Sequence, residues 1–459
     1  MTTSTSQNTH ETDTANNASY TTISTILTLA IPTFGQLIAE PAFVLIDTAI
    51  VGHIGGQALA GLSVGSTIVL TVVGLCVFLA YSTTSQVGRL LGAGKRREGL
   101  EAGVDGLWLA GIIGVVVSVA LFVIARPLCM AMGAQGSVLH NAVDYVRAVV
   151  FGIPGMLLVY AANGIFRGLQ KVRITLVAAM VGAILNTLLD LLFIIGFGWG
   201  VFGSGAATLI SQWFMAVVLI VPAVLWTRAE GARLRPRLSG VLNSAGDGAV
   251  LFLRTLALRA CLVANVVLAT HMGVEVLAAY QVVNSSWNFV LNMLDAIGIA
   301  GQTLVAAQIG ARQEDEAMRL TGIAGKAGLC GGTVIGIGLM IAGWCASPLF
   351  SQSTEIQHLL TVGMVVVGVT LPLAGWMWAV DGILIGAGDY RYLALTCTAT
   401  AAIYVPCLAV IGWICDAMQA SSALRMALLW LAVNLLFVGL RAIFNGFRIG
   451  TSTWLHIAH

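Results

Sequence analysis

The chain has 459 residues, of which 58% are hydrophobic and only 9% are charged, and its formal net charge is +2. Because soluble domains carry about 25% charged residues, this composition excludes an ordinary soluble protein and predicts an all-α polytopic membrane protein. The net charge is close to zero, whereas nucleic-acid-binding proteins typically carry a basic surface, so no nucleic-acid partner is expected.

The first segment, residues 1–22, is rich in Thr, Ser and Asn and contains no Lys or Arg. This composition predicts a disordered tail rather than a cleaved signal peptide. From residue 23 onward, twelve apolar stretches are long enough to span a bilayer as helices. They lie at roughly 23–50, 60–86, 101–125, 139–163, 172–196, 204–227, 248–270, 277–307, 320–345, 358–386, 391–415 and 424–447.

Basic residues indicate the orientation of these spans. Lys and Arg cluster after the even-numbered spans, whereas the intervening loops hold only Arg126 and Arg425. The positive-inside rule then predicts that both termini and a linker at 228–247 lie in the cytoplasm. We therefore expect a multi-pass protein of the cell membrane with an N-terminal lobe at 23–227 and a C-terminal lobe at 248–459.

The chain also repeats itself at a fixed offset of 218 residues. Residues 53–55 (His-Ile-Gly) return as 271–273 (His-Met-Gly), and Pro154 returns as Pro372. Each repeat holds an even number of spans, so the two six-helix lobes are expected to share one orientation about a pseudo-two-fold axis along the membrane normal. Two fused membrane repeats predict a transporter whose substrate binds between them.

The first span carries a polar stripe. Gln36, Glu40 and Asp47 fall within roughly 40° of arc on an ideal helix. Because an ionisable residue near mid-membrane costs at least ~2.5–3.5 kcal/mol, this stripe is expected to face a cavity or other protein. Pro32 and Pro41 interrupt the same span and predict a bend in it. The alternative for the acids is a buried carboxylate that neighbouring donors satisfy.

The fifth span places Asn186 and Asp190 four residues apart, on one helix face. Thr208 on the sixth span can hydrogen-bond to them if the two helices touch. This set predicts an ion-coupling site together with Asp47. Polar side chains also hold membrane helices together without any other role, and that alternative stays open.

The eighth span carries a longer polar stripe, which reads as the lining of an aqueous passage or as a polar seam against another helix. Its members are Asn284, Asn288, Asn292, Asp295 and Gln302.

The tenth span carries Trp376, Trp378 and Asp381 close together. Aromatic rings beside a carboxylate suit a lipophilic cation, although Trp is also common at membrane interfaces.

Two arginines, Arg254 and Arg259, lie inside the seventh predicted span. They can pair with Asp295 or Asp381, attract an anionic substrate or, for Arg254, extend the charged end to the nearby interface.

Other classes of site are not indicated. The eight cysteines form no C-x-x-C pair, and no nucleophile triad, metal-ligand cluster or phosphate loop appears, so neither an enzyme nor a cofactor or metal is expected.

At the repeat offset, Asp47 corresponds to Asn265 and Asp190 to Leu408. Ion coupling is therefore expected in the N-terminal lobe.

Residues 39–55, with Ala-Glu-Pro at 39–41, Leu-Ile-Asp-Thr-Ala at 45–49 and Gly-His-Ile-Gly at 52–55, resemble the multidrug and toxic compound extrusion (MATE) family, in its DinF-like branch. Residues 295–303 and 381–389 resemble the same family. The resemblance extends over about 23–450. It implies two six-helix lobes around a V-shaped cleft and export of organic, often cationic, compounds against a proton or sodium gradient.

The resemblance also implies roles for single residues. Asp47 matches the acid that takes the coupling ion, and Pro32 matches the proline where the first helix bends. The polar network around that acid is matched by Asn186, Asp190 and Thr208, with Tyr145 and Asn163 as further members on the fourth span. An acid that another branch carries on the seventh span has no match here, which favours coupling in the N-terminal lobe.

These observations predict a monomeric, proton-coupled antiporter that needs no cofactor. A proton from outside neutralises Asp47, changes its bonds to Asn186 and Asp190, and bends the first helix near Pro32 and Pro41. One charge moved across 100 mV supplies about 2.3 kcal/mol. The candidate cleft residues are Gln36, Glu40, Tyr145, Asn163, Asn284, Asn288, Asn292, Asp295, Trp378 and Asp381.

Alternative functions stay open at this point. The oxygen donors of Asp47, Asn186, Asp190 and Thr208 can hold Na⁺ instead of a proton. An organic-anion exporter of the same fold is a second alternative. A flippase for lipids or lipid-linked saccharides is a third, to which the embedded arginines give slight support.

Overall fold

The computed structural model describes the backbone of residues 5–53, 55–345 and 347–457. Side chains are described for these residues except 5–23, 40, 43–45 and 350. The side chain of the predicted cleft residue Glu40 therefore lies outside the described residues, and its role stays a prediction.

Twelve long helices, named α1 to α12 in chain order, dominate the described backbone, which contains no strand. Helix α1 spans Thr5–Gly52. The other eleven are long and apolar enough to cross a membrane: α2 Gly56–Gly92, α3 Arg96–Ala131, α4 Gly136–Gly168, α5 Val172–Gly196, α6 Gly200–Ala229, α7 Leu238–Met272, α8 Val274–Gly310, α9 Glu314–Cys345, α10 Thr354–Ala387, α11 Tyr390–Ala417 and α12 Ser422–Gly450. The predicted all-α class and the twelve helices are confirmed.

Two predicted boundaries differ from the structure. Helix α1 begins at Thr5, so the backbone of most of the predicted tail is helical. Helix α7 begins at Leu238, which shortens the predicted linker 228–247 to the residues between α6 and α7. The helical backbone of α1 continues without interruption through Pro32 and Pro41, so a bend at either proline stays a prediction.

The chain forms two compact units, and each consists mainly of one repeat. The N lobe contains Gly35–Phe252, and the C lobe contains Leu253–His459 together with the start of α1 up to Phe34. The two boundaries lie inside α1 and α7, which are equivalent helices of the two repeats. The duplication that the sequence indicates is thus visible in the folded backbone.

The turns between helices repeat at the same offset. Gln170 adopts a left-handed backbone at φ 58°, and its equivalent Gly388 does so at φ 83°. Gly94 at φ 74° corresponds to Arg312 at φ 58°. Glycine adopts this conformation without the steric cost that other residues bear. The repeats have therefore kept a strained turn geometry even where one copy lost its glycine.

Glycines set the closest helix contacts, as the composition predicts for membrane helices. In the C lobe, α9 and α10 touch through Gly328 and Gly375, where an added Cβ atom would collide with the backbone of the other helix. In the N lobe, a Cβ atom at Gly114 of α3 would meet Pro154 of α4 at 2.6 Å. Larger side chains at these positions would force the helices apart.

Candidate functional site

The predicted ion-coupling residues converge inside the N lobe. Asp47 of α1, Asn186 and Asp190 of α5, and Thr208 of α6 are all buried, and Asp190 has no exposed surface. The hydroxyl of Ser204 donates a hydrogen bond of 2.7 Å to Asp47 Oδ1. The structure thus brings together side chains that lie far apart in the sequence.

Local helix geometry positions these groups. Asn186 and Asp190 lie one turn apart on α5, and the helix changes to π-helical hydrogen bonding directly after Asp190, over Leu191–Gly196. Such π segments are frequent at functional sites because they re-aim neighbouring side chains. Ser204 and Thr208 lie one turn apart on α6, so both hydroxyls share one face of that helix.

Tyr145 of α4 completes this arrangement. Its side chain is buried and interacts with Thr208, within electrostatic range of both Asp47 and Asp190. Its ring packs against Gly65 of α2, where an added Cβ atom would lie 2.7 Å from it. Tyr145 therefore lies beside the predicted ion-coupling residues, and its role in their polar network stays a prediction.

The acids of this site have no basic partner among the described ion pairs, none of which includes Asp47 or Asp190. Both carboxylate oxygens of Asp190 and both amide atoms of Asn186 also lack a hydrogen-bond partner in the described structure. A buried, uncompensated carboxylate is costly. A proton or a small cation at this position would remove that cost.

The space beside Asp47 is small. It is a cavity of about 20 Å³ whose polar lining includes Thr48, Ser66, Tyr145 and Thr208. A cavity of this size can hold a water molecule, whereas drug-sized ligands occupy pockets of about 300–1,000 Å³. In the described conformation this site suits a proton, a water or a small cation rather than an organic substrate.

A second polar cavity of about 50 Å³ lies next to the first. Its lining includes Gln36, Tyr160, Asn163 and Gln212, and Gln212 lines both cavities. Two of the predicted cleft residues, Gln36 and Asn163, therefore meet here rather than at Asp47.

Arg167 follows the fourth predicted span in the sequence, but the structure buries it beside Gln36. Arg167 is only 4% exposed, and its Nη2 atom donates a 2.6 Å hydrogen bond to Gln36 Oε1. The fourth span is longer than predicted, and Arg167 lies within its last turn.

Sequence reasoning missed Ser204 and Gln212 as site residues. A signal was present, because Ser204, Thr208 and Gln212 follow one another at four-residue spacing and form a polar stripe along α6.

The predicted polar stripe of α8 is only partly buried. Asn288 is exposed and donates a 2.8 Å hydrogen bond to the backbone carbonyl of Asn284. Asn292 and Asp295 are half-buried, while Gln302 is buried. Whether this stripe lines an aqueous passage stays a prediction.

Asp381 lies in an internal ion-pair cluster of the C lobe. It is 4% exposed and pairs with Arg254 of α7 and with Arg441 of α12 at 3.2 Å. Asn445 Nδ2 donates a further bond of 3.2 Å. Of the alternatives for Arg254, pairing with Asp381 is confirmed, and extension to the interface is wrong because Arg254 is buried. Arg259 is exposed.

In the described structure a cation of the protein itself lies beside Trp378, and the binding of a substrate cation there stays a prediction. The guanidinium carbon of Arg441 lies 5.0 Å from the centre of the Trp378 ring. The protein therefore supplies its own cation to both the ring and the carboxylate.

The C lobe contains a neutral counterpart of the coupling site. Asp47, Asn186 and Asp190 correspond to Asn265, Tyr404 and Leu408 at the repeat offset. The Tyr404 hydroxyl donates a 2.5 Å hydrogen bond to Asn265 Oδ1, and both residues are buried. A satisfied neutral pair thus occupies the position where the N lobe holds its acids.

Comparison with known proteins relates the whole chain to one family. The MatE family model matches residues 32–192 and 251–414. Protein DETOXIFICATION 44, chloroplastic, of Arabidopsis thaliana is 28% identical over 445 residues, covering 93% of this chain and 82% of that protein. DNA damage-inducible protein F of Escherichia coli (strain K12) is 26% identical over 424 residues, covering 90% of this chain and 89% of that protein.

A solved structure shows the same fold. The Vibrio cholerae MATE transporter VcmN in the bent form aligns with a TM-score of 0.85 at 19% identity, covering 96% of this chain and 99% of that one. The family match includes one segment from each repeat, in agreement with the resemblance that the sequence motifs indicate. The chain belongs to the MatE family of membrane transporters.

Proposed function

We propose that this transporter exports organic, often cationic, compounds across the cell membrane by alternating access, coupled to the entry of a cation. The observation that carries the proposal is the buried pair of Asp47 and Asp190, which has no basic partner in the described structure. A pair of this kind binds a cation in one step of a cycle and releases it in another, since its charge is unbalanced when empty.

A proton is the coupling ion that we favour. Asp47 is held by Ser204, while the two acids lie close enough to repel each other. Protonation would remove that repulsion and free Asp47 to exchange its hydrogen-bond partners. Because Asp47 and the two prolines lie on α1, such a change would act on the helix that is predicted to bend.

Sodium is the alternative that the donor set supports. Carboxylate, amide and hydroxyl oxygens are the hard ligands that such ions prefer, and the cavity beside Asp47 is of atomic size. Proton coupling predicts that efflux persists in sodium-free buffer, while sodium coupling predicts that it stops there.

Embedded arginines supported a lipid-flippase or organic-anion function at the sequence level. Arg254 and Arg441 are instead paired with Asp381 inside the C lobe. Two arginines on one acid nevertheless leave a surplus positive charge, which supports an anionic substrate, either an organic anion or a lipid phosphate, as the alternative. Efflux of matched fluorescent cations and anions separates these substrate classes.

The decisive experiment is gradient-driven efflux from proteoliposomes. Asp47→Asn and Asp190→Asn should each abolish efflux driven by a pH gradient while leaving the protein folded. Asp144→Asn is the matched control, because Asp144 lies on α4 of the same lobe with a side chain that is 38% exposed. Coupled efflux by the Asp47 variant at the control's rate would contradict the proposal.

The proposal also covers the orientation of the protein in the membrane, its oligomeric state and its need for a cofactor. We propose that both termini lie in the cytoplasm, since the basic residues follow the even-numbered helices, and that the transporter acts as a monomer without a cofactor. Cysteine labelling of the exposed loops in intact cells tests the orientation.

A further inference from the structure

The surface of the N lobe carries an apolar groove of about 670 Å³. It is lined by α3, α4 and α6, with Ile112, Val115, Leu158 and Ile220 among the lining side chains. The lining on α3 extends from Val104 to Val116, which is about 18 Å at the helical rise. That length is close to one leaflet of a hydrocarbon core about 30 Å thick.

Two tryptophans border this groove, and backbone carbonyls hold both indole groups. Trp108 Nε1 donates to the carbonyl of Leu234 at 3.2 Å, and Trp213 Nε1 donates to the carbonyl of Phe151 at 2.9 Å. Their ring faces remain available, since Trp108 is 48% exposed and Trp213 is 40% exposed. The groove walls are therefore fixed while the groove stays open.

The segment between α6 and α7 is fastened across one end of the groove. The backbone amide of Arg233 donates to Glu101 Oε1 at 3.1 Å, and that of Arg237 donates to Asp105 Oδ1 at 2.9 Å. These bonds hold Leu234 against the groove. In these bonds, Glu101 and Asp105 of α3 accept hydrogen bonds from backbone amides.

Positive charge gathers at this same end. Arg235 and Arg237 are exposed, as is Arg228, which follows the groove residue Val224 by one helical turn. None of these three arginines takes part in an ion pair among the described residues. Unpaired guanidinium groups at the end of an apolar channel are suited to an anionic headgroup whose acyl chain enters the channel.

We propose that this groove, with Arg228, Arg235 and Arg237 at its end, is a binding site for one acyl chain and the phosphate of an anionic phospholipid. The equivalent positions of the C lobe carry different side chains, which supports a site that is specific to the N lobe rather than a consequence of the shared fold. There, Trp376 takes the position of Leu158, and Leu329 takes that of Gly111. The Trp376 indole packs against Gly325 and Gly446, where added Cβ atoms would meet it at 3.1 and 3.3 Å.

The test is native mass spectrometry of the full-length protein with phosphatidylglycerol or phosphatidylcholine of identical acyl chains. We expect wild-type protein to retain phosphatidylglycerol about tenfold better, because each basic residue near a membrane attracts anionic lipid. Replacing Arg228, Arg235 and Arg237 together by Gln should remove this preference. The control replaces the exposed Arg173, Arg312 and Arg391 by Gln, with the same change in net charge, and should retain it.

A second variant tests the apolar part of the site. An added Cβ atom at Gly111 meets only Leu158 at 4.0 Å, so Gly111→Phe should fold and fill the groove, lowering retention of both lipids. Equal retention of the two lipids by wild-type protein would overturn the proposal. So would an unchanged preference in the triple variant, or unchanged lipid retention in Gly111→Phe.

Discussion

The two lobes share a backbone plan but hold opposite charges in their interiors. In the N lobe, Asp47 and Asp190 are buried without a basic partner among the described ion pairs. In the C lobe, the buried acid Asp381 is paired with two buried arginines, Arg254 and Arg441. Duplication has therefore kept the geometry while dividing the chemistry. One lobe buries acids without a basic partner, as the proposed coupling to a cation requires, and the other pairs its buried acid with arginines.

The difference between the lobes is visible at equivalent positions of the two repeats. Gln36 and Asn163 of the N lobe correspond to Arg254 and Asp381 of the C lobe. The neutral pair lines a cavity, whereas the charged pair closes on itself in an ion pair. The two equivalent pairs of positions thus line a polar cavity in the N lobe and form an ion pair between helices in the C lobe.

Packing has diverged in a compensated way as well. Gly65 accommodates the ring of Tyr145 in the N lobe, while their equivalents are Val283 and Gly363. A Cβ atom at Gly363 would lie 3.0 Å from Val283, so the large and small partners have exchanged helices. The exchange keeps a close contact between the helices in both lobes, but it leaves the C lobe without the Tyr145 hydroxyl.

The largest expected effect tests the fixed charges of the C lobe. Asp381→Asn leaves Arg254 and Arg441 buried without their acid, and breaking a buried pair in this way costs about 3–5 kcal/mol. Asp190→Asn in the N lobe removes an acid that has no such partner, so the free energy of unfolding should not fall. Thermal unfolding of both variants in detergent measures the contrast.

The control for that contrast is Asp416→Asn. Asp416 pairs with Arg425 at 3.0 Å, but its side chain is 70% exposed, and exposed pairs contribute about 0–1 kcal/mol. If Asp381→Asn lowers the melting temperature no more than Asp416→Asn does, the C-lobe cluster does not fix the fold as we infer.

A smaller effect is expected at the hydrogen bond to Asp47. Ser204 stabilises the ionised carboxylate, and bonds to charged groups contribute about 1.5–3 kcal/mol. Ser204→Ala should therefore move the pH of half-maximal coupled efflux to higher values, by about one to two units. Efflux measured across a pH series in proteoliposomes checks the shift.

The matched C-lobe variant is Tyr404→Phe, which removes the neutral bond to Asn265. It should lower the free energy of unfolding by about 1 kcal/mol and leave the pH profile in place. A profile that moves in Tyr404→Phe but stays constant in Ser204→Ala would reverse the assignment of the coupling lobe.

The sequence predicts the helices and the N-lobe acids well, because both depend on information local to one helix. Apolar length locates the spans, and four-residue spacing places Asn186 and Asp190 on one face. The repeat offset further indicates that coupling belongs to one lobe. These inferences require no knowledge of which helices touch.

The C-lobe cluster was harder to predict, because its partners lie on three different helices. The sequence offers Asp381 as a site for a foreign cation, and only the packing of α12 reveals that Arg441 covers Trp378. The buried position of Arg167 was not predicted for a related reason, since the end of an apolar run does not fix where its helix ends. Periodicity within a helix is readable from one sequence, but contacts between helices are not.

The smallest expected effect tests whether the two backbones are still equivalent where their residues differ. Gln170 and Gly388 occupy the same left-handed turn position, at φ 58° and 83°. Gln170→Gly relieves a conformation that costs about 1–2 kcal/mol for residues with a side chain, but it adds up to about 1 kcal/mol of unfolded-state entropy. A net gain of about 0.5 kcal/mol is expected, and Gly388→Gln should lose a similar amount. Opposite shifts of the melting temperature would show that both turns bear the same strain, so that the division between the lobes lies in their side chains alone. Shifts of the same sign would mean that the turns have diverged too, and the repeat offset would then no longer identify equivalent positions near them.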